Sequence, residues 1–212
     1  MLIEIINYSK RPRIKSLQKI SFVEFMTFAV KSILLIIILN APSSSIIKLL
    51  DLKHKLGGFP PELIFVPILI APIYEEVIFR ILLKVTKLNV VIFFVTILAL
   101  TSYCLYMQNY SWVIFLVTIT LIWSIYIFLN KLRIQIKFKY VFYISISLFA
   151  LMHIGNFDGL KLWMLILAPI IVIPQLIMGL LLSYLRMNNG FIYAVCLHIF
   201  INLISLLPIF LI

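Results

Sequence analysis

Long hydrophobic stretches separated by short polar connections make up most of the chain. Within them, apolar residues do not alternate with polar ones, so the pattern does not favour the strands of a membrane β-barrel. Most of the stretches approach the about 20 residues that a helix needs to cross a bilayer. We therefore predict about seven membrane-spanning helices, of which the fifth is short and the sixth is long. They lie near residues 22–41, 62–83, 89–107, 112–129, 140–155, 162–185 and 191–211.

Proline residues and one longer connection modify this pattern. Pro169 and Pro174 fall within the sixth predicted span, and we expect them to bend it. Residues 43–60 form the longest connection, and their central sequence IIKLLDLKHKL is amphipathic, as in helices that lie on a membrane surface. We find no internal repeat. We expect a basic cytoplasmic segment over residues 1–21 and one helical domain over residues 22–212.

The composition supports a membrane protein. Hydrophobic residues make up 64% of the chain and charged residues only 12%, and the mean hydropathy is +1.19. A soluble domain of 212 residues could not bury so much apolar surface. We therefore assign the chain to the all-α class, as a polytopic transmembrane helix bundle.

The basic residues indicate membrane orientation and not nucleic-acid binding. The formal net charge is +11, but Lys and Arg lie mostly in short segments beside the apolar stretches, where they control topology. With a cytoplasmic N-terminus, the inside segments carry Lys10, Arg11, Arg13, Lys15, Lys19, Lys84, Lys87, Lys131, Arg133, Lys137, Lys139 and Arg186. The outside segments carry only Lys48, Lys53, Lys55 and Lys161. The positive-inside rule therefore predicts an N-in, C-out protein whose surroundings are lipid.

Three charged residues lie together inside the second predicted span. Glu75, Glu76 and Arg80 occur in the sequence APIYEEVIFR. Glu76 and Arg80 are four residues apart, so they share one helix face and can pair. Glu75 lies about 140° away from Arg80 around the helix axis, which leaves it available as a general base. A structural ion pair with a spare glutamate in a polar cavity explains the same residues equally well.

Two histidines and one asparagine occur in other predicted spans. His153 ends the sequence SLFALMH in the fifth span, and His198 and Asn202 share one face of the seventh. Polar groups in lipid must find one another or a water-filled cavity, so we expect them to join Glu75 in one site. At about 1.5 Å per residue from the inner membrane face, Glu75 and His198 lie roughly 12–14 Å deep and His153 roughly 20 Å deep. This count favours a site that faces the cytoplasmic half of the membrane.

Three motifs in this order resemble those of the CPBP family of intramembrane proteases, which contains CAAX prenyl endopeptidases and Abi-type bacteriocin-processing or immunity proteins. EEVIFR at Glu75–Arg80 resembles the EExxxR motif, FALMH at Phe149–His153 resembles FxxxH, and HIFIN at His198–Asn202 resembles HxxxN. The similarity covers about residues 62–207.

The resemblance implies hydrolysis of a peptide bond within the membrane. It implies that one glutamate and one histidine act on a water molecule, while a second histidine and an asparagine hold the oxyanion. The catalytic residues implied are Glu75 with His153, and His198 with Asn202; the supporting residues are Glu76, Arg80 and Phe149. Two histidines and a carboxylate could also bind Zn²⁺ or another divalent metal, with Glu75, His153 and His198 as ligands. A metal-free, glutamate-activated water is equally compatible with these residues.

Two other functions fit a membrane protein with buried polar residues. One is a non-catalytic immunity or scaffold protein that sequesters a peptide or a partner enzyme. The other is a proton-coupled transporter, which also carries Glu and His at mid-membrane. A decayed site should have lost a polar residue and a transporter favours inverted repeats, and we see neither feature in the sequence. We therefore predict an endopeptidase, and the resemblance implies that it lies in a bacterial cytoplasmic membrane and acts on a membrane-associated peptide or protein, such as a lipidated CAAX-type tail or a leader peptide.

Overall fold

The chain folds into a bundle of helices, as a computed structural model describes it for residues 2–14, 16–55, 63–134 and 136–210. The α-helices in this part of the chain are α1 (Leu2–Lys10), α2 (Phe22–Leu39), α3 (Ala41–Leu49), α4 (Ala71–Arg80), α5 (Lys87–Tyr106), α6 (Tyr110–Lys131), α7 (Phe138–Met152), α8 (Ala168–Ile171), α9 (Ile173–Asn188) and α10 (Phe191–Phe210). Two short strands, β1 (Lys53–His54) and β2 (Phe157–Asp158), form an antiparallel pair.

The described helices confirm an all-α integral membrane protein. Four stretches are long and apolar enough to cross a membrane, and a bent pair of helices makes a fifth if it counts as one span. The four are Phe22–Leu39, Lys87–Tyr106, Tyr110–Lys131 and Phe138–Asn156. The second predicted span corresponds to α4 and the turns beside it, and the seventh to α10, of which the stretch Phe191–Leu206 is classed as a shorter apolar helix. The count of seven spans and the N-in orientation therefore remain predictions.

The predicted bend in the sixth span is present. The stretch Leu162–Ile171 meets α9 at an angle of 47°. The break falls at Val172, between Pro169 and Pro174. A proline lacks the amide hydrogen that a helix needs and its ring crowds the preceding turn, so two prolines five residues apart explain the bend.

A π-helical turn at Val66–Ile70 leads into α4. In such a turn each carbonyl accepts a hydrogen bond from the N–H five residues later. For Pro67 that residue is Pro72, which has no N–H. The Pro67 carbonyl instead accepts a hydrogen bond from Asn202 Nδ2 of α10, at 2.9 Å. The two prolines thus create the contact that holds Asn202.

Side chains from three other helices bind the carbonyls at the end of α4. The carbonyls at a helix C-terminus lack partners within the helix. The hydrogen bonds run from Trp123 Nε1 to Ile78 O at 3.0 Å, from Ser145 Oγ to Phe79 O, and from the Arg186 guanidinium to Arg80 O at 3.3 Å and Ile81 O at 3.2 Å. These bonds fix α4 in place between α6, α7 and α9.

The bundle has two distinct ends. At one end α1 packs on α9, with the Tyr8 and Tyr184 rings 5.4 Å apart. We call it the basic end, because its exposed or half-buried cations are Lys10, Arg11, Arg13, Lys19, Lys84, Lys87, Lys131, Arg133, Lys137 and Lys139. At the other end, which we call the hairpin end, α3 packs on α8 through a hydrogen bond from Ser43 Oγ to the Ile171 carbonyl.

The hairpin end was not predicted in this form. The sequence IIKLLDLKHKL within residues 43–60 is amphipathic, as in helices that lie on a membrane surface, but its described part consists of the end of α3, a turn and strand β1. β1 pairs with β2 in the register Lys53 with Asp158 and His54 with Phe157. A pair of two-residue strands that are about a hundred residues apart leaves no hydrophobic alternation from which to predict it.

Arg186 differs from its predicted place as a cytoplasmic surface charge, because its side chain is only 7% exposed. We predict that Arg186→Met lowers the free energy of unfolding by about 1–3 kcal/mol, since it removes both hydrogen bonds that Arg186 donates to the carbonyls of Arg80 and Ile81. Thermal unfolding in detergent measures the effect. Arg11→Met, at an exposed position of the same end, is the matched control and should have little effect. Equal melting temperatures for the two variants would contradict the role of Arg186.

Candidate active site

The Glu76 carboxylate lies at the centre of a fully buried ionic network. Glu76 Oε1 is 2.6 Å from Arg80 Nη1, within α4, and 2.9 Å from His198 Nδ1 of α10. All three side chains are 0% exposed. The pairing of Glu76 with Arg80 that the four-residue spacing predicts is confirmed. A buried charge of this kind needs such partners, because the bare carboxylate would be strongly disfavoured away from water.

The Phe149 ring supports this network from α7. The Arg80 Cζ atom lies over the ring, 3.9 Å from its centroid, in a cation–π contact. The edges of His153 and His198 also pack on this ring, with centroid distances of 4.8 Å and 5.7 Å. Phe149 therefore contacts one cation and both histidines of the predicted site.

Gly179 lets α9 approach this cluster. A Cβ atom at this position would lie 3.2 Å from Ile146 Cγ2, 3.2 Å from Phe149 Cδ1 and 3.4 Å from Arg80 Nη2. A side chain here would push against the ring and the guanidinium together. The requirement for glycine follows from the approach of three helices, which the sequence alone does not show.

Glu75 faces both histidines from the other side of α4. Its Oε2 atom lies 3.8 Å from His153 Nε2 and 3.5 Å from His198 Nε2. The Glu75 side chain is 17% exposed and that of His153 is 14% exposed. The structure thus brings together the residues expected to converge. The estimated difference in depth does not separate His153 from Glu75, because that estimate assumed untilted helices that start at one level.

The hydrogen bonds of the two histidines indicate which ring nitrogens carry hydrogen. His153 Nδ1 is 2.8 Å from the Phe149 carbonyl, which can only accept, so Nδ1 is the donor. His198 Nδ1 donates in the same way to the Glu76 carboxylate. In the neutral rings both Nε2 atoms then have a lone pair directed toward Glu75. Glu75 Oε2 and His198 Nε2 are buried and have no hydrogen-bond partner among the described residues, so each has hydrogen-bonding capacity that the described side chains do not use.

A cavity of about 540 Å³ adjoins Glu75 and His153. Asn202 also lines it, and its orientation is set by the bond to the Pro67 carbonyl. The volume lies within the range of about 300–1,000 Å³ that is typical of ligand sites. The cavity can hold a short extended stretch of peptide beside the carboxylate.

Two further residues of this cavity were not predicted as site residues. Gln175 lines it, and its buried Oε1 atom has no hydrogen-bond partner within the described residues. It could have been found in the sequence, since it is the only polar side chain in IVIPQLIMG. His54 of β1 also lines the cavity. Burial, and then the neighbouring His153, hold the pKa of His54 below its usual value.

The donor atoms of Glu75, His153 and His198 are of types that bind zinc. However, no group of three or more His, Cys, Asp or Glu side chains in the described part of the chain is arranged to hold a metal ion. The described side chains thus do not form a metal site as they stand, the metal-bound and metal-free alternatives both stay predictions, and we derive no chemical step from a metal.

Comparison with known protein families points to the same region of the chain as the geometry of the site. The pattern of the type II CAAX prenyl endopeptidase Rce1-like family matches residues 58–204, which is well over half of the 212-residue chain. The chain belongs to the Rce1-like family of type II CAAX prenyl endopeptidases. No curated protein and no solved structure matches it.

Membership of the Rce1-like family confirms the resemblance to the CPBP and CAAX proteases. It implies a peptidase of the CAAX type that acts within the membrane. The matched region begins before the π-helical turn and ends within α10, so it contains Glu75, His153, His198 and Asn202. The catalytic roles of these Rce1-like residues remain predictions.

We predict that Gly179→Ala destabilises this Rce1-like protein by about 1–3 kcal/mol, the usual range for overpacking a dense core. The added methyl group would displace Phe149 or Ile146. Gly155→Ala is the control, because no atom lies within 4 Å of a Cβ built there. The measurement is the melting temperature in detergent. A Gly179→Ala variant as stable as Gly155→Ala would show that α9 does not approach Phe149 this closely.

Proposed function

We propose that the chain is an intramembrane endopeptidase that hydrolyses a peptide bond with a water molecule activated by Glu75 and His153. The observation that supports the proposal is that the adjacent carboxylates of Glu75 and Glu76 have different partners. Glu76 is paired with Arg80 and His198, whereas Glu75 lines the cavity and its Oε2 atom lies within 4 Å of two imidazole nitrogens. A general base must be within reach of a water and must not be neutralised by a cation.

The water would bind between Glu75 Oε2 and His153 Nε2. Both atoms accept hydrogen bonds, so they direct the two hydrogens of the water toward themselves and its lone pair toward the cavity. Glu75 takes one proton as the oxygen attacks the scissile carbonyl carbon. It then delivers that proton to the leaving amine when the carbon–nitrogen bond breaks. Glu75 thus ends the cycle ionised, as it began.

Asn202 and His198 would stabilise the oxyanion of the tetrahedral intermediate. One N–H of the Asn202 amide is used by the Pro67 carbonyl, which leaves the second N–H to donate to the oxyanion. His198 Nδ1–H is directed at Glu76. His198 can therefore donate to the oxyanion only through an Nε2–H, which its ring carries only when both nitrogens hold hydrogen.

The substrate that we propose is a membrane-associated peptide or protein, of which a lipidated CAAX-type tail and a leader peptide are the two forms to test. The family supports a CAAX-type peptidase, and the cavity admits an extended peptide. The bacterial cytoplasmic membrane is the location that we propose.

We predict that Glu75→Gln abolishes cleavage, with a loss of about 100-fold or more, because the amide cannot accept the proton. The measurement compares the membrane proteomes of cells that carry either the wild-type or the Glu75→Gln protein, and seeks precursors that remain uncleaved. Asp51→Asn is the matched control, an exposed acid whose positive φ of 50° suits asparagine. Retained processing with Glu75→Gln would remove the proposed base and favour a sequestering or transport role.

We predict that Glu76→Gln mainly lowers the free energy of unfolding. It removes the anion shared by Arg80 and His198, and loss of one partner of a buried ion pair costs about 3–5 kcal/mol. Glu75→Gln should leave the melting temperature in detergent nearly unchanged. If Glu76→Gln stops cleavage at unchanged stability while Glu75→Gln does not, the two roles are reversed.

The proposed mechanism uses only side chains of the chain itself, so cleavage should survive removal of divalent metals. Purified protein in lipid nanodiscs, treated with a chelator and freed of metal by gel filtration, should process an identified precursor at the untreated rate. A loss of rate that Zn²⁺ restores would instead assign Glu75, His153 and His198 as metal ligands.

A further inference from the structure

We propose that Gln175 is a substrate-binding residue whose carboxamide oxygen accepts a hydrogen bond from a backbone N–H of the bound peptide. This inference rests on the proposed function, because it concerns the peptide that Glu75 would attack. It adds a statement about specificity. At the position that Gln175 contacts, the substrate is recognised through its main chain.

Gln175 is a polar residue of α9 whose amide oxygen is not used within the described protein. Its Oε1 atom is buried and has no hydrogen-bond partner among the described residues. A glutamine in an apolar membrane segment normally bonds across to a neighbouring helix, because a buried amide without a partner costs free energy. An amide that forms no such bond is available to a ligand.

The helices α7 and α9 pack side by side in opposite directions. At one level the Tyr8 ring contacts the rings of Phe142 in α7 and Tyr184 in α9, with centroid distances of 5.7 Å and 5.4 Å. At another level Gly179 of α9 meets Phe149 of α7, whose Cδ1 atom lies 3.2 Å from a Cβ built at the glycine. Residue numbers therefore rise along α7 as they fall along α9.

This packing places Gln175 at the level of His153. Gln175 precedes Gly179 by four residues, and His153 follows Phe149 by four. Residues four apart lie on one face of a helix, and four residues span about 6 Å along its axis. Both side chains thus lie one turn beyond the same contact, in the same direction. They line the same cavity as Glu75.

The carboxamide of Gln175 can turn its oxygen toward the cavity. The last torsion of a glutamine side chain is broad and roughly two-fold, and no described donor holds the oxygen. A peptide that lies across the cavity carries an N–H at every residue except proline. One such N–H can pair with Gln175 while the scissile carbonyl lies beside Glu75.

The contact restricts the substrate in one respect only. Any side chain is compatible with it, because the N–H belongs to the main chain. Proline is the exception, since it has no N–H to donate. The substrates should therefore vary in side chain at this position and should lack proline there.

The kinetics of Gln175→Met test the proposal, because methionine is similar in length and has no carboxamide. The probe is a synthetic peptide that spans the cleavage site of the precursor accumulating with Glu75→Gln, assayed in lipid nanodiscs. We expect KM to rise about 3- to 10-fold at nearly unchanged kcat, as for one lost hydrogen bond that is made equally in the ground and transition states. The melting temperature should not fall, because no described bond is lost.

Gln18→Met is the matched control, since it makes the same change at an exposed position of the basic end. It should alter neither KM nor kcat. A wild-type KM for Gln175→Met would overturn the proposal. So would a marked fall in its melting temperature, which would assign Gln175 a structural role.

Ester substitution in the peptide separates substrate binding from effects on the fold. Each amide N–H except that of the scissile bond is replaced in turn by an ester oxygen, which removes one donor. At one position the ester should raise KM about 3- to 10-fold with the wild-type protein. It should have no further effect with Gln175→Met, because both changes remove the same hydrogen bond.

The remaining outcomes separate the role of Gln175 from the proposed peptidase. Ester effects that add to the effect of Gln175→Met at every position would mean that no substrate N–H contacts this residue. If no precursor accumulates with Glu75→Gln, the proposed peptidase is wrong and the role of Gln175 is wrong with it. If Glu75→Gln stops processing while Gln175→Met has the wild-type KM, only the role of Gln175 is wrong.

Discussion

The rest of the site depends on one buried carboxylate shared by two cationic or polar partners. Glu76 lies fully buried between Arg80 and His198, in an environment where an unpartnered charge would be prohibitively costly. Because Glu76 holds both partners, α4 and α10 cannot slide past each other without breaking the network. The same contact orients His198 so that its Nε2 atom faces Glu75. Glu76 thus occupies Arg80, and Glu75, the base that we propose, faces the two histidines instead.

Much of this arrangement was predictable because polar groups in lipid must contact one another or water. The spacing of Glu76 and Arg80 predicts their pair, and the separation of Glu75 around the helix predicts that it is left over. His153 and His198, isolated in apolar stretches, were expected to converge on that helix. They do so, together with Phe149, which contacts Arg80 and both histidines.

The parts that were not predictable are those set by tertiary contact. Nothing around Arg186 distinguishes it from a surface cation until α9 places it on the carbonyls of α4. Gly179 matters only because three helices meet there. The bond from Asn202 to the Pro67 carbonyl depends on the π-helical turn. In that turn the carbonyl has no backbone partner, because Pro72 lacks an N–H.

A double-mutant cycle between Glu76 and His198 tests the central contact most directly, because 122 positions in sequence separate the two residues. Unfolding free energies of Glu76→Gln, His198→Gln and the double variant would be measured in mixed micelles. The account predicts a coupling energy of about 1–3 kcal/mol, as expected for residues in one hydrogen-bond network. Effects that add to within about 0.5 kcal/mol would mean that the two side chains do not touch, and would contradict it.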